Sequence, residues 1–341
     1  MDGAGAAVEE LLGPHGFNIA WAWDVCRGVS SGLRRRTTTR SLHVGPTAGD
    51  FNSVDIESLE VVDIIMAGVP CQPDSIIGHR RKRADPRAEV GLKVLATIEY
   101  QSTRGLKAFI LENVKAIAEG KDHSDGFLNQ LRNWGRTAMG GFDIRTFFVN
   151  SKEQGGIPQS RGRVYFVGVA KSVLRAAEME MPSYIPPMPC KALRSYLDLS
   201  APRSREGDLC VAFRTNLLLF KQALSRDLAD PNREHEVACF NVDRKPGGFN
   251  GGITIGYVPC VTCTDNQMFV LGLGEGRQPM LHRYLTTEEK AALQGFQEND
   301  IRDLSSRELL RGVGEAFTVP IAGRVLCIAL RPIYAERRAG C

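Results

Sequence analysis

The stretch Val61-Val62-Asp63-Ile64-Ile65-Met66-Ala67-Gly68-Val69-Pro70-Cys71-Gln72 decides the fold prediction for this chain. Its first half is a short apolar run rich in β-branched residues, which is typical of a buried strand. Gly68 and Pro70 then interrupt the run, so that Cys71 follows the strand almost at once. Open α/β sheets bind their ligands at the carboxyl ends of strands, so this position makes Cys71 a candidate functional residue.

Strands and helices alternate on both sides of this stretch. Further β-rich apolar runs occur at residues 17–23, 108–111, 144–149 and 164–169. A helical pattern lies between two of them, with one apolar face made of Val90, Val94, Leu95 and Ile98. This alternation predicts an α/β fold with a mostly parallel sheet covered on both faces. Because the run at 108–111 ends at Glu112, we expect Glu112 and Cys71 at the same edge of the sheet.

The pattern changes after about residue 170. Pro-rich and Gly-rich segments interrupt short β-like pieces at residues 181–189, 245–256 and 272–276. Helical character returns at residues 286–293, and residues 319–330 predict a final buried helix. We therefore predict a catalytic domain over residues 1–170, a smaller loop-rich module over residues 171–282, and a C-terminal return to the first domain over residues 283–341.

Composition and charge exclude several classes of protein. An apolar fraction of 43% and a charged fraction of 24% are those of a globular protein, and no apolar stretch is long enough to span a membrane. The formal charge of +4 gives no overall preference for nucleic acid, although a local basic face could supply phosphate contacts. Nine cysteines without a compact framework predict a reducing, intracellular compartment. Cys260 and Cys263 are interpreted as two thiols on an apolar strand, and no metal site is predicted.

Three short motifs carry candidate chemistry. They are Val69-Pro70-Cys71-Gln72, Glu112-Asn113-Val114 and Gln159-Ser160-Arg161-Gly162-Arg163, and Cys71, Glu112 and Gln159 follow one another at intervals of 41 and 47 residues. Cytosine C5 is a poor nucleophile until a thiolate adds to C6 and makes C5 enamine-like. That reaction needs a reactive cysteine, a carboxyl group at the N3 side and cationic donors at O2. In content, order and spacing, the motifs resemble those of the cytosine-5 DNA methyltransferase family.

The resemblance covers nearly the whole chain except the module at residues 171–282. In the loop after Cys71, the matching residues are Ser75, Gly78 and Asp85-Pro86-Arg87. Towards the C-terminus, the matching residues are Arg283-Tyr284-Leu285-Thr286, Glu289, Gln294-Gly295-Phe296, Gly314 and Val319-Pro320. The family resemblance implies a Rossmann-like methyltransferase domain and assigns the module at residues 171–282 to target recognition.

The resemblance also implies S-adenosylmethionine as the methyl donor. Asp24 matches the acidic residue on the ribose hydroxyls, and Asp50 matches the one that meets the adenine. Asp2, Gly3 and Gly5 resemble the Gly-rich turn that holds the methionine part. The cofactor-binding residues that the resemblance implies are Asp2, Gly3, Gly5, Asp24, Asp50, Pro70 and Val319.

Roles at the target base follow from the same resemblance. Cys71 is the implied nucleophile, Glu112 engages the N3 edge, and Arg161 and Arg163 bind O2 and steady the carboxyl group. The partner is DNA, from which the target base must be flipped out. The implied DNA-binding residues are Gln72, Ser75, Arg80, Arg81, Arg83 and Gln159.

Some features depart from the family pattern. The apolar strand that usually precedes the Gly-rich turn is absent before Asp2, so we expect an N-terminally truncated catalytic domain. Glu315 occupies the usual asparagine of the last motif. These departures leave a catalytically silent DNA-binding or regulatory relative as an alternative.

Other interpretations are also open. The tRNA-modifying branch of the family is disfavoured because its Cys-Phe-Thr tripeptide does not occur here. Individually, Asp24 and Asp50 could be turn and capping residues. Arg161 and Arg163 could form surface ion pairs, and the arginines at residues 80–83 could form a solvated loop.

Overall fold

The computed structural model describes residues 20–24, 41–44, 50–69, 87–119, 131, 141–198, 200–201, 210–227, 237–241, 252–262, 267–273, 279–302 and 304–339. Contacts between Cα atoms divide the chain into two compact units. The first unit comprises Met1–Val149, Gly162–Pro186 and Val319–Cys341, and the second comprises Asn150–Arg161 and Pro187–Thr318. This division differs from the predicted boundaries, because residues 171–186 group with the first unit and residues 150–161 and 283–318 with the second.

The elements alternate along the chain as the apolar pattern predicts. The strands are β1 (Trp21–Asp24), β2 (Ser41–Val44), β3 (Ile64–Gly68), β4 (Ala108–Val114), β5 (Phe142–Asn150), β6 (Gly162–Ala170), β7 (Val237–Asn241), β8 (Thr254–Ile255), β9 (Gln267–Leu273) and β10 (Pro279–Tyr284). The α-helices are α1 (Arg87–Ser102), α2 (Ala116–Glu119), α3 (Ser151–Gln154), α4 (Lys171–Ala176), α5 (Val211–Asp227), α6 (Thr287–Ala292), α7 (Glu298–Ile301), α8 (Ser306–Glu315) and α9 (Val319–Ala339). Short 3-10 turns occur at Phe51–Ser53, Ile56–Ser58 and Leu193–Tyr196.

The first unit contains a four-stranded sheet in the order β3-β4-β6-β5. Strand β3 is parallel to β4, whereas β4 is antiparallel to β6. A separate parallel pair is formed by β1 and β2. The predicted α/β class is therefore confirmed, but the sheet is mixed where a mostly parallel one was expected. The reason is physical: a strand buried on both faces is a continuous apolar run whichever way it points.

The core of the first unit lies on β4 and β6. Phe109 on β4 packs directly across from Gly168 on β6, and its ring centroid lies 5.4 Å from that of Phe142. Helix α9 covers β4 and β6 and also contacts α4. Within the described residues no single helix is long and apolar enough to cross a membrane. Helices α8 and α9 meet the length and composition required only when they are counted together as one pair with a bend.

The second unit is built on an antiparallel sheet in the order β10-β9-β7-β8. Strand β7 is buried on both faces, so its side chains enter two different apolar clusters. Val237 and Cys239 belong to one cluster, and Ala238 and Phe240 belong to the other. In the latter, Phe240 stacks on Phe220 of α5 at 4.4 Å between ring centroids. Helix α5 has 17 residues and lies in the module that was predicted to be loop-rich.

Candidate active site

Glu112 and Arg163 form an ion pair in the first unit. The Nε atom of Arg163 lies 3.0 Å from Oε1 of Glu112, and both side chains are largely buried, at 18% and 12% exposure. The antiparallel register explains the contact: Glu112 lies opposite Tyr165 and Val114 lies opposite Arg163, so the two charged residues are diagonal neighbours on one face. The structure thus brings together two of the four residues that were predicted to be catalytic.

The end of β3 lies directly beside this pair. Gly68 is the register partner of Glu112, and the Val69 N–H donates to the Glu112 carbonyl at 3.2 Å. The buried Asn113 amide donates to the Val69 carbonyl at 3.4 Å and accepts from the Val114 N–H at 2.7 Å. Cys71 itself lies outside the described residues, as does Pro70. The chain two residues before Cys71 is nevertheless held on Glu112 and Asn113, which supports the pairing of Cys71 with Glu112.

Three of the other described cysteines are poorly suited to nucleophilic attack. Burial raises the pKa of the Cys239 thiol to about 12. Burial likewise raises the pKa of Cys327, and it raises the pKa of Cys190 against the opposing charge of Lys152. Since the thiolate is the nucleophile, these three side chains are in environments that disfavour the reactive form.

Arg161 lies in the interior of the second unit, at 3% exposure. Its Nη1 donates to the Val261 carbonyl at 3.1 Å and to the Cys260 sulfur at 3.4 Å. Its Nη2 donates to the carbonyls of Gly314 and Ala316 at 3.3 and 2.9 Å. These contacts occupy both terminal nitrogens of the guanidinium group. These contacts give Arg161 a supporting role in the second unit, and its contact with cytosine O2 stays a prediction.

Gln159, which was predicted to bind DNA, is fully buried in the second unit. Its amide nitrogen donates to the Leu293 carbonyl at 2.5 Å and to Oε1 of Gln294 at 2.9 Å, and its oxygen accepts from the Val261 N–H at 3.0 Å. Gln294 in turn donates to the Val313 carbonyl at 2.8 Å. A side chain with this many internal bonds and no exposed surface is part of the packing of the unit.

Arg283, Thr286 and Glu289, which belong to the matching residues towards the C-terminus, form a second polar cluster in the second unit. Arg283 and Glu289 make a two-pronged ion pair, with 2.5 Å between Nη2 and Oε1 and 2.8 Å between Nη1 and Oε2. Glu289 also completes a capping box with Thr286 at the start of α6. The Asp198 N–H donates to Oε1 of Glu289 at 2.7 Å. These residues of the motif thus tie α6 to the chain around residue 198.

Glu315 is on the surface of the second unit. Its carboxylate is 3.7 Å from Nε of Arg311, one helical turn earlier, and its side chain is 48% exposed. Solvent and this arginine screen the added charge. The substitution of the family asparagine therefore does not place an unpaired charge in the interior of the second unit, and one motive for a catalytically silent relative is weakened.

Lys115 was not singled out from the sequence. A Cβ added at Gly162 would lie 2.8 Å from the Lys115 Cε, so the lysine side chain passes directly over this glycine. Gly162 immediately precedes Arg163 in the same strand, and Lys115 follows Val114. The signal in the sequence was the glycine between the two arginines of the motif, which leaves room for the Lys115 side chain.

Two of the acidic residues predicted to bind the donor follow strands in the first unit. Asp24 ends β1, and Asp50 lies six residues after β2, which is parallel to β1. Asp50 is half-buried, and its Oδ1 accepts from the Asn52 N–H at 3.0 Å. The N–H and O–H groups of an adenine and a ribose need acceptors, which is why the resemblance assigns carboxylates at the ends of parallel strands to S-adenosylmethionine. Both contacts stay predictions.

Of the other predicted binding residues, only Val319 lies within the described part of the chain. Val319, the first residue of α9, is 7% exposed. Predicted cofactor and DNA contacts that lie outside the described residues are Asp2, Gly3, Gly5, Pro70, Gln72, Ser75, Arg80, Arg81 and Arg83. Their roles stay predictions.

Comparison with solved structures defines the class of fold. The chain is similar to a DNMT2 variant from Spodoptera frugiperda, with a TM-score of 0.60, 16% identity, and coverage of 96% of this chain and 97% of that one. It is also similar to the Dnmt2 methyltransferase of S. pombe, with a TM-score of 0.57, 15% identity, and coverage of 97% and 96%. The fold is that of an S-adenosylmethionine-dependent methyltransferase.

Sequence comparison identifies the family. The family model for C-5 cytosine-specific DNA methylases matches residues 16–327, so the chain belongs to that family. The Type II methyltransferase M.NgoBI of Neisseria gonorrhoeae is 27% identical over 300 residues, which cover 85% of this chain and 81% of the relative. M.HaeII of Haemophilus aegyptius is 28% identical over 298 residues, which cover 84% and 81%. Methyltransferases of this family use S-adenosylmethionine as the methyl donor.

Proposed function

We propose that this chain methylates C5 of cytosine in DNA, with Cys71 as the nucleophile and Glu112 and Arg163 at the target base. The observation that carries the proposal is the ion pair between Glu112 and Arg163 beside the end of β3, the strand that leads to Cys71. Membership of the C-5 cytosine-specific family supports the substrate and the position of methylation.

The chemistry follows from these side chains. The Cys71 thiolate adds to C6 of cytosine, which forms an S–C6 bond and moves electron density to C5. In its protonated form Glu112 donates a hydrogen bond to N3, where negative charge otherwise builds up, and its other carboxyl oxygen accepts from the exocyclic amino group. Arg163 holds the carboxyl group in place. S-adenosylmethionine would supply the methyl group as a sulfonium: C5 takes the methyl group, the sulfur–methyl bond breaks, and the donor leaves as a neutral thioether. Loss of the C5 proton to a base then expels the Cys71 thiolate, which breaks the S–C6 bond and restores the aromatic ring.

Access to C6 requires that the cytosine leave the duplex. C6 is stacked between neighbouring base pairs, so the proposed mechanism includes extrusion of the base at a cost of a few kcal/mol. Arg80, Arg81 and Arg83 lie in the loop that follows Cys71 in the sequence. We assign these cations to the phosphates that flank the extruded nucleotide.

The direct test is transfer of a labelled methyl group from S-adenosylmethionine to unmethylated genomic DNA of mixed sequence. The wild type is expected to label DNA, Cys71→Ser to fall to background, and Glu112→Gln to lose roughly a hundredfold or more, the usual contribution of a positioned proton-transfer group. Cys190→Ser is the matched control, because Cys190 is an exposed free cysteine of the second unit.

The same assay with tRNA distinguishes the alternative substrate. Labelling of DNA that survives in Cys71→Ser would remove the assigned nucleophile. Labelling of tRNA without labelling of DNA would replace the substrate. No transfer to either, with DNA binding intact, would favour the catalytically silent relative.

A further inference from the structure

Two consecutive turns of the first unit have the same sequence pattern and the same hydrogen bonds. They are Asp50-Phe51-Asn52-Ser53-Val54, called the first turn, and Asp55-Ile56-Glu57-Ser58-Leu59, called the second turn. In each, the aspartate carboxylate accepts from the N–H two residues later, at 3.0 and 3.1 Å. In each, the aspartate carbonyl accepts from the serine hydroxyl three residues later, at 2.8 and 2.7 Å.

The two turns differ in their surroundings. Asp50 is half-buried, whereas Asp55 is exposed. The second turn ends at Leu59, which is 6% exposed. Asp50 and Asp55 therefore cap their turns in the same way, but only Asp50 is predicted to contact the adenine.

Three side chains at or just beyond the C-terminal end of α1 donate to main-chain carbonyls of the second turn and of Glu60, the residue that follows it. Arg104 Nη1 donates to Leu59 at 2.9 Å, Gln101 Nε2 donates to Glu60 at 3.2 Å, and Tyr100 Oη donates to Glu57 at 3.5 Å. The Arg104 guanidinium also lies over the Tyr100 ring, 5.3 Å from its centroid. We call Tyr100, Gln101 and Arg104 the clasp.

The clasp is connected to Asp50 by its hydrogen bonds to the second turn and by the short stretch of chain that joins the two turns. The first turn passes into the second at Val54 and Asp55 without an intervening residue, and α1 packs against both turns. Oδ1 of Asp50 is engaged by its own turn, so the direction of the whole carboxylate follows the position of that turn. We therefore expect a displacement of the second turn to reorient Asp50.

We propose that the clasp positions Asp50 for the adenine of the methyl donor and thereby sets the affinity for S-adenosylmethionine. This inference rests on the proposed methyltransferase function and on the predicted role of Asp50 as the adenine contact of the donor. Tyr100, Gln101 and Arg104 are positioning residues, because they act through the two turns. The donor-binding edge of the first unit thus includes the end of α1, which lies far along the sequence from the predicted donor-binding residues.

The experiment compares Arg104→Ala and Gln101→Leu with Glu99→Ala, an exposed position on the same helix. Calorimetry gives the Kd for S-adenosylmethionine, and amide hydrogen exchange reports order in residues 51–59. Each clasp variant is expected to weaken donor binding about three- to tenfold, which is the loss of one or two net hydrogen bonds. Exchange is expected to rise in both turns, while kcat at saturating donor and KM for DNA stay unchanged. Arg104→Lys should recover part of the affinity.

Asp50→Asn and Asp55→Asn separate this inference from the function on which it rests. Both variants keep the cap and remove one charge, so only Asp50→Asn should weaken donor binding. Faster exchange confined to the second turn would overturn the positioning of Asp50 by the clasp. Faster exchange in both turns with an unchanged Kd would overturn the link to the donor. If Asp50→Asn leaves the Kd for S-adenosylmethionine unchanged while the clasp variants still show faster exchange in both turns, Asp50 is not the adenine contact. The clasp would then be an element of structure alone.

Discussion

The side chains of Arg283 and Glu289 show that residues of a family motif can stabilise the fold. Both are buried in the second unit, at 2% and 5% side-chain exposure, and each also binds main-chain groups around residues 198 and 284–286. The desolvation of two charges is costly, and the geometry of the pair compensates for it. The pair therefore stabilises the second unit only as long as both partners are present.

Removal of one partner is expected to be strongly destabilising. Arg283→Met leaves the Glu289 carboxylate buried without its cation, which costs about 3–5 kcal/mol. Arg311→Ala is the matched control, because Arg311 and Glu315 form an exposed pair worth at most about 0.5 kcal/mol. Urea unfolding of the second unit, followed by amide exchange, measures both changes. Equal losses in the two variants would contradict the assignment of the buried pair as a stabilising contact.

At the scale of elements, the contact between β4 and β6 decides the core of the first unit. Gly168 lies opposite Phe109, and an added Cβ at Gly168 would overlap the phenylalanine ring. The same pair of strands carries Glu112 and Arg163, so an error in their packing displaces the ion pair. The close approach of ring and backbone explains why a glycine interrupts an otherwise apolar strand.

Gly168→Ala is expected to lower the free energy of unfolding by about 1–3 kcal/mol, because the ring has to move within a packed core. Gly312→Ala provides the opposite control. Gly312 is an interior residue of α8 with open space around it, so alanine is expected to raise helix stability by up to about 1 kcal/mol. Thermal unfolding of both variants gives the comparison. A neutral Gly168→Ala would show that β4 and β6 pack less closely than described.

At the scale of the whole molecule, the formal charge of +4 is too small to drive DNA binding by itself. Affinity must then depend on where the cations lie, and the sequence assigns Arg80, Arg81 and Arg83 to phosphate contacts. The slope of log K for DNA against log salt is negative. We expect the variant with alanine at all three positions to have a slope that is shallower by about 2–3, because each phosphate that is no longer neutralised reduces its magnitude by close to one unit.

The control for this measurement replaces three exposed arginines elsewhere, Arg175, Arg302 and Arg338, which changes the net charge by the same amount. Fluorescence anisotropy with labelled duplex DNA at several salt concentrations gives both slopes. The same fall in both variants would mean that the total charge, and not the loop after Cys71, governs binding.

Much of the fold and part of the site could be predicted from the sequence. The apolar period marks β3, β4 and α1. Glu112 lies within β4 and not after it, but its predicted place beside the end of β3 is confirmed, because Gly68 is its register partner. Its proximity to Cys71 stays a prediction. The family model confirms the assignment of the chain that rested on the order of the motifs. These features are local or depend only on order along the chain, and the sequence contains both kinds of information.

The tertiary structure alone decided which members of a motif remain together. Arg161 and Arg163 are two residues apart and were predicted to act on one base, but the chain passes between the two units at residues 161 and 162. Arg163 therefore meets Glu112 across two strands, whereas Arg161 and Gln159 bind main-chain groups of the second unit. Strand direction was undetermined for a related reason, because apolar periodicity records that a residue is buried and not which partner buries it.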